Sequence, residues 1–168
     1  MSTATTRSEG AKPDVTRKIS SADRTMIYEI ERWPSSIENN WLDQMGDARS
    51  VAIERSMDPG LVNLAARAGI ARLVRGADDF KARMFERIRI LVTQHEIPLS
   101  EVMREVEYRI GRIKTTFQLT DEQVHTAVAA GLRRYLDGGG SPEFAIGLAD
   151  LVGVPEEKRS FLELPTDL

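Results

Sequence analysis

Two arginine-rich stretches hold the densest chemistry in this chain. Arg67, Arg72 and Arg75 occupy the first, and Lys81, Arg83, Arg87 and Arg89 the second. A guanidinium offers a planar fork of donors that matches carboxylate and phosphate oxygens. On adjacent helices these residues would form a surface for an acidic partner or a phosphate. Arg83 and Arg87 are four apart and share one helical face. Asp78, Asp79 and Glu86 are interspersed among them, so ordinary surface pairing competes with that role.

Acid–base chemistry has little material. His95 and His125 are the two histidines, and neither has a nucleophile beside it in sequence. Glu101, Glu105 and Glu107 could lend carboxylates to a helical metal site. Such sites also use a Glu-x-x-His pair on each of two helices, and no such pair occurs here. The absence of cysteine removes disulfides, thiolate zinc sites, iron–sulfur ligation and cysteine nucleophiles. The expectation is no catalytic residue, no metal and no cofactor.

Aromatic residues next to basic ones suggest protein contact, because interface hot spots favour Trp, Tyr and Arg. Trp33 and Trp41 lie near two helical turns apart, on either side of Pro34 and Ile37. Tyr108 stands beside Arg109 and Arg112, and Tyr135 follows Arg133 and Arg134. The candidate protein-binding set is therefore Trp33, Trp41, Arg83, Arg87, Tyr108, Arg109 and Arg112.

Near the C-terminal end, Leu148-Ala149 precedes Gly153-Val154, and Leu162 follows. This segment resembles the helix-turn-helix of phage-repressor-type DNA-binding proteins. The resemblance covers 16 residues, Leu148 to Glu163, and implies a second helix that enters the major groove. It would place Lys158, Arg159 and Ser160 against nucleic acid. That helix opens on Glu156 and Glu157, which phosphates repel, so a protein partner remains the first expectation.

These residues must be held by helices. In a chain of 168 residues, 41% hydrophobic and 29% charged, one ordinary domain can bury a core without cross-links. Met26, Ile27, Ile30 and Trp33 recur at helical spacing, as do Phe80, Met84, Phe85 and Ile88. The same holds for Val102, Val106, Ile110 and Ile113, whose opposite side carries Arg104, Glu105, Glu107, Arg109, Arg112 and Lys114. The set Leu61, Leu64, Ala65, Ala68, Ala71, Leu73 and Val74 includes many small residues, so a neighbouring helix can approach it closely.

Boundaries are expected at Ser20, Pro34, Asp58-Pro59, Gly76, Pro98, Thr120, the Gly138–Gly140 triplet and Gly153. Gly46 permits a further break, and Asp78 and Ser100 are candidate caps. No segment alternates as a strand does. The fold class is all-α, a single-domain helical bundle or an orthogonal packing of about seven to nine helices. Residues 1–19 are expected to form a disordered, Ser/Thr-rich tail, and residues 20–168 the helical domain, with a possible subdivision at 138–140.

Charge is uneven along the chain: −2 over residues 1–48, +4 over 49–135 and −5 over 136–168. No apolar run reaches the ~20 residues of a membrane span, which suggests a cytoplasmic protein without a membrane partner. The functional expectation is a non-enzymatic adaptor, regulator or inhibitor that binds another protein, with a homodimer also plausible. The alternatives are a DNA-binding regulator using residues 144–163 and an exported bacterial effector with an N-terminal leader.

Overall fold

The computed structural model describes residues 19–88 and 97–160. Seven α-helices carry these residues, with no strand among them: α1 (Ser21–Arg32), α2 (Trp41–Glu54), α3 (Pro59–Arg75), α4 (Ala77–Ile88), α5 (Leu99–Phe117), α6 (Asp121–Asp137) and α7 (Pro142–Val152). Two 3-10 turns, Trp33–Ser35 and Glu156–Lys158, complete the set. The fold is all-α. The tail expected over 1–19 lies outside the described residues apart from Ile19, as does His95.

Local chemistry sets most of the helix starts. Ser20 Oγ accepts from the Asp23 amide, Asp58 from Gly60 and Ser141 from Phe144, each satisfying an orphan donor of a first turn. Thr120 and Gln123 form a full capping box ahead of α6. Pro59 and Pro142 stand in first turns, where a missing N–H is harmless. At the other end of α7, Gly153 takes a left-handed conformation, φ 85°, and the Val154 amide turns back to Ala149 O. Between α5 and α6, the Lys114 ammonium bonds the Asp121 carboxylate and holds it below the ordinary carboxylate range.

The central helix is α3, which packs against α1 and α6 on two sides and also meets α5. Its small residues permit that closeness. Gly69 lies under Ile30 O and the Pro34 ring, while Ala71 and Val74 face Gly131 of α6. One continuous core joins Ile30, Met45, Ile70, Phe80, Val106 and Leu132 to Phe144 and Leu148 beyond the glycine triplet.

The boundary expected at Pro34 is present, since α1 ends at Arg32 and the 3-10 turn Trp33–Ser35 follows before α2 opens at Trp41, whereas four other expectations need correction. Helix α2 runs straight through Gly46, because burial of Met45 and Ala48 on either side outweighs the ~1 kcal/mol helical penalty of glycine. Asp78 lies inside the first turn of α4 and accepts from the Tyr135 hydroxyl at 2.9 Å. Helix α5 begins at Leu99 with Pro98 at its cap, ahead of Ser100. The helix expected after Pro155 is a 3-10 turn of three residues, with residues 161–168 outside those described.

Tyr135, a candidate contact residue, is buried instead. Its ring packs on Phe144 at 5.2 Å between centroids. Its hydroxyl also accepts from the Ser141 amide at 3.0 Å, so one side chain ties α4, α6 and the start of α7. Burial, with Asp78 beside it, pushes the phenol up to about 12. Because the folded value exceeds the ordinary 10, this tyrosine's contribution to stability is complete below pH 10. It is then lost as pH rises from 10 towards about 12. Urea titrations across that window should show a steeper fall for the native chain than for Tyr135→Phe; parallel falls would dismiss the assignment.

Candidate functional site

The turn that follows α1 is the structural origin of the site. Trp33–Ser35 forms a 3-10 turn, and the Ser36 amide closes it on Trp33 O at 2.9 Å. Ser36 Oγ then accepts from the Glu38 amide at 3.1 Å. The turn stands off the ends of α1 and α3 and leaves a cleft of about 730 Å³. Glu29 and Arg32 of α1, Gln44 of α2, Arg72 and Arg75 of α3, and Asp79 and Arg83 of α4 complete its lining.

Arg109 holds the turn from behind. Its Nη1 donates to Pro34 O at 3.0 Å and to Ser36 O at 2.5 Å, and its Nε donates to Glu105 at 2.8 Å. The guanidinium carbon lies 4.3 Å from the Trp41 ring centre and 4.8 Å from that of Phe80, within cation–π range. Burial lowers the pKa of this arginine, and the bond to Glu105 opposes the shift. From α4, Arg87 donates to Ile37 O at 3.2 Å. Two arginines on separate helices thus fix three carbonyls of one turn.

The cleft itself is less satisfied than its support. Ser35 Oγ and Gln44 Oε1 are buried without a hydrogen-bond partner, and both residues line it. Buried polar atoms are nearly always paired, so these two orphans leave this wall incompletely satisfied. Arg83 pairs with Asp79 at 3.6 Å, and Arg32 lies over the Tyr28 ring at 4.9 Å. Arg72 and Arg75 are exposed and make no ion pair among the described residues. Four arginines against three acids leave the lining at a net charge of +1.

The candidate residues therefore separate into groups. Trp33 and Arg83 line the cleft, and Arg87 supports its wall. Trp41 and Arg109 are in the core, at 4% and 6% exposure. The expectation that Arg109 faces solvent is thus corrected: it replaces an apolar side chain on the buried stripe of α5 and satisfies the turn. Tyr108 and Arg112 are exposed on α5 and do not belong to the cleft lining. Ser35, Gln44, Glu29 and Arg32 escaped sequence reasoning, and only the neighbouring Pro34 signalled a turn there.

The C-terminal basic residues are engaged locally. Lys158 Nζ donates to Thr126 at 3.2 Å and lies 3.9 Å from Glu122. Arg159 bonds Asp150 and Val154 O, both at 2.8 Å, while Ser160 is exposed. Both charges are thus drawn onto α6 and α7, and no second α-helix follows Gly153 within the described residues.

A second, more apolar cleft of about 490 Å³ lies between Ala52, Ile53, Met57, Pro59, Val62 and Phe117. Its Asn63 donates its amide to Gln123 Oε1, an oxygen already fixed by the Thr120 amide. Asn63 Oδ1 is therefore left buried and unpartnered. Among the described residues, no cluster of His, Asp and Glu is placed to hold a metal ion. No described helix is long and apolar enough to cross a membrane.

The chain matches no protein-family model, no curated protein and no solved structure.

Proposed function

We propose that this chain is a non-enzymatic helical adaptor, regulator or inhibitor that binds another protein through the cleft between α1, the 33–38 turn, α3 and α4. One observation carries this reading. The cleft presents the Ser35 and Gln44 oxygens without partners near exposed Arg72 and Arg75, which make no ion pair among the described residues, beside a turn that buried Arg109 fixes in place. A prearranged wall of this kind lowers the ordering cost of association. Trp33 adds a partly buried aromatic at the same place, as contact surfaces favour.

Site-specific photocrosslinking tests the reading. A benzophenone amino acid at Glu38 on the rim should give discrete adducts in extracts of the native host. Excess unlabelled chain should suppress them. The same group at Ile146, exposed on α7, should give none. Equal labelling from both positions, or none from position 38, would remove the cleft as the contact surface.

A further inference from the structure

Resting on the reading of the cleft as a protein-contact surface, we infer that its occupant is a short acidic peptide segment whose carboxylates seat on Arg72 and Arg75. These two arginines are three apart on α3, so they sit on neighbouring positions of one face. Both are exposed and make no ion pair among the described residues. Each can therefore take a carboxylate through a two-pronged hydrogen bond.

The rest of the lining decides between peptide and phosphate. Glu29, Glu38 and Asp79 stand in the same cleft, and the C-terminal end of α3 adds its negative dipole end. A polyphosphate fixes a charge in every unit of its backbone, whereas a peptide carries its carboxylates on flexible side chains that can turn away from those acids. Gln44 Oε1 lacks a donor and is shut off from solvent, so it takes one only once its side chain turns into the cleft on binding. A phosphodiester has none, while each non-proline peptide unit brings an N–H to satisfy Gln44 and a C=O to receive the Ser35 hydroxyl. Charge and hydrogen-bond complementarity therefore select the same partner class.

The probe is fluorescein-labelled hexaglutamate, followed by anisotropy at low salt with the full chain. Hexalysine, inorganic phosphate and a 20-nucleotide single-stranded DNA serve as comparators. Hexaglutamate should bind, and binding should weaken as salt rises. The Arg72→Gln/Arg75→Gln double variant should bind at least tenfold more weakly, with an unchanged circular dichroism melt. Arg133→Gln/Arg134→Gln, which alters exposed arginines of α6 outside the cleft, should bind as the native chain does. If Arg72→Gln/Arg75→Gln melts early, Ser35→Ala and Gln44→Leu provide the second measurement, each expected to weaken binding severalfold.

Absent hexaglutamate binding, binding unaffected by any cleft variant, or tighter binding of DNA or phosphate would each overturn the inference. Crosslinking from position 38 together with no hexaglutamate binding would overturn the acidic ligand while leaving the protein-contact reading in place. Cleft-dependent hexaglutamate binding without crosslinks at position 38 would do the reverse.

Discussion

Replacing Arg109 by alanine is expected to lower the stability of the chain by about 3–4 kcal/mol, through three separate losses. Pro34 O is buried and loses its donor, at ~1–3 kcal/mol. The contacts with the Trp41 and Phe80 rings contribute ~1 kcal/mol or more. The vacated side chain leaves a void beside Trp41 and Phe80 that can close only in part. Relief of guanidinium desolvation offsets some of this loss.

Urea unfolding measures the sum, and the melting point should fall by roughly 10 °C for a chain of this size. Arg109→Lys should recover little, because a point cation cannot reach two carbonyls and a carboxylate in the geometry of a planar fork. Arg109→Met should recover the packing part alone. Hydrogen exchange gives the local readout: the Ser36 and Glu38 amides, which close the turn, should lose protection in all three variants. A stable Arg109→Ala protein with slow exchange at both amides would show that the turn holds itself.

Arg109 also shows where sequence reading stops. The apolar stripe of α5 runs through Val102, Val106, Ile110, Ile113 and Phe117, all buried. Position 109 lies three after 106 and four before 113, so it belongs to that stripe by spacing as much as Ile110 does. Charge alone suggested the solvent face. The correction comes from a partner 75 residues away, the Pro34 carbonyl, which no local window contains.

Asp78 was misplaced for the same reason: its spacing fits a cap, but Tyr135 claims its carboxylate from 57 residues away. By contrast, Ser20, Asp58 and Thr120 were readable as helix starts because each satisfies an amide two or three residues ahead. The arginines of α3 and α4 were visible as a candidate surface. Their meeting with Ser35 and Gln44 was not, since it depends on how α1, α2, α3 and the intervening turn pack.

Gly131 supplies the second large effect, with opposite outcomes for the same substitution at two glycines. A Cβ at Gly131 would lie 2.7 Å from Ala71 O and 2.9 Å from Val74 Cβ. The first contact is backbone, so α3 and α6 must separate to relieve it. Mid-helix Gly→Ala normally stabilises by about 0.5–1 kcal/mol. At Gly111, where a Cβ meets nothing within 4 Å, that gain should appear in full.

At Gly131 the overpacking penalty, about 1–3 kcal/mol, should exceed it and leave Gly131→Ala less stable than the native chain. Gly131→Leu should lose about 3 kcal/mol or more, since no rotamer avoids the Cβ clash that alanine already makes. Ala71 and Val74 neighbour Arg72 and Arg75 in α3, so pushing this helix off α6 also shifts both cleft arginines. Paired denaturation curves for Gly111→Ala and Gly131→Ala decide the matter. If both are stabilised, α3 and α6 have slack at their crossing, and the spacing that positions Arg72 and Arg75 must be set by Gly69 against Ile30 instead.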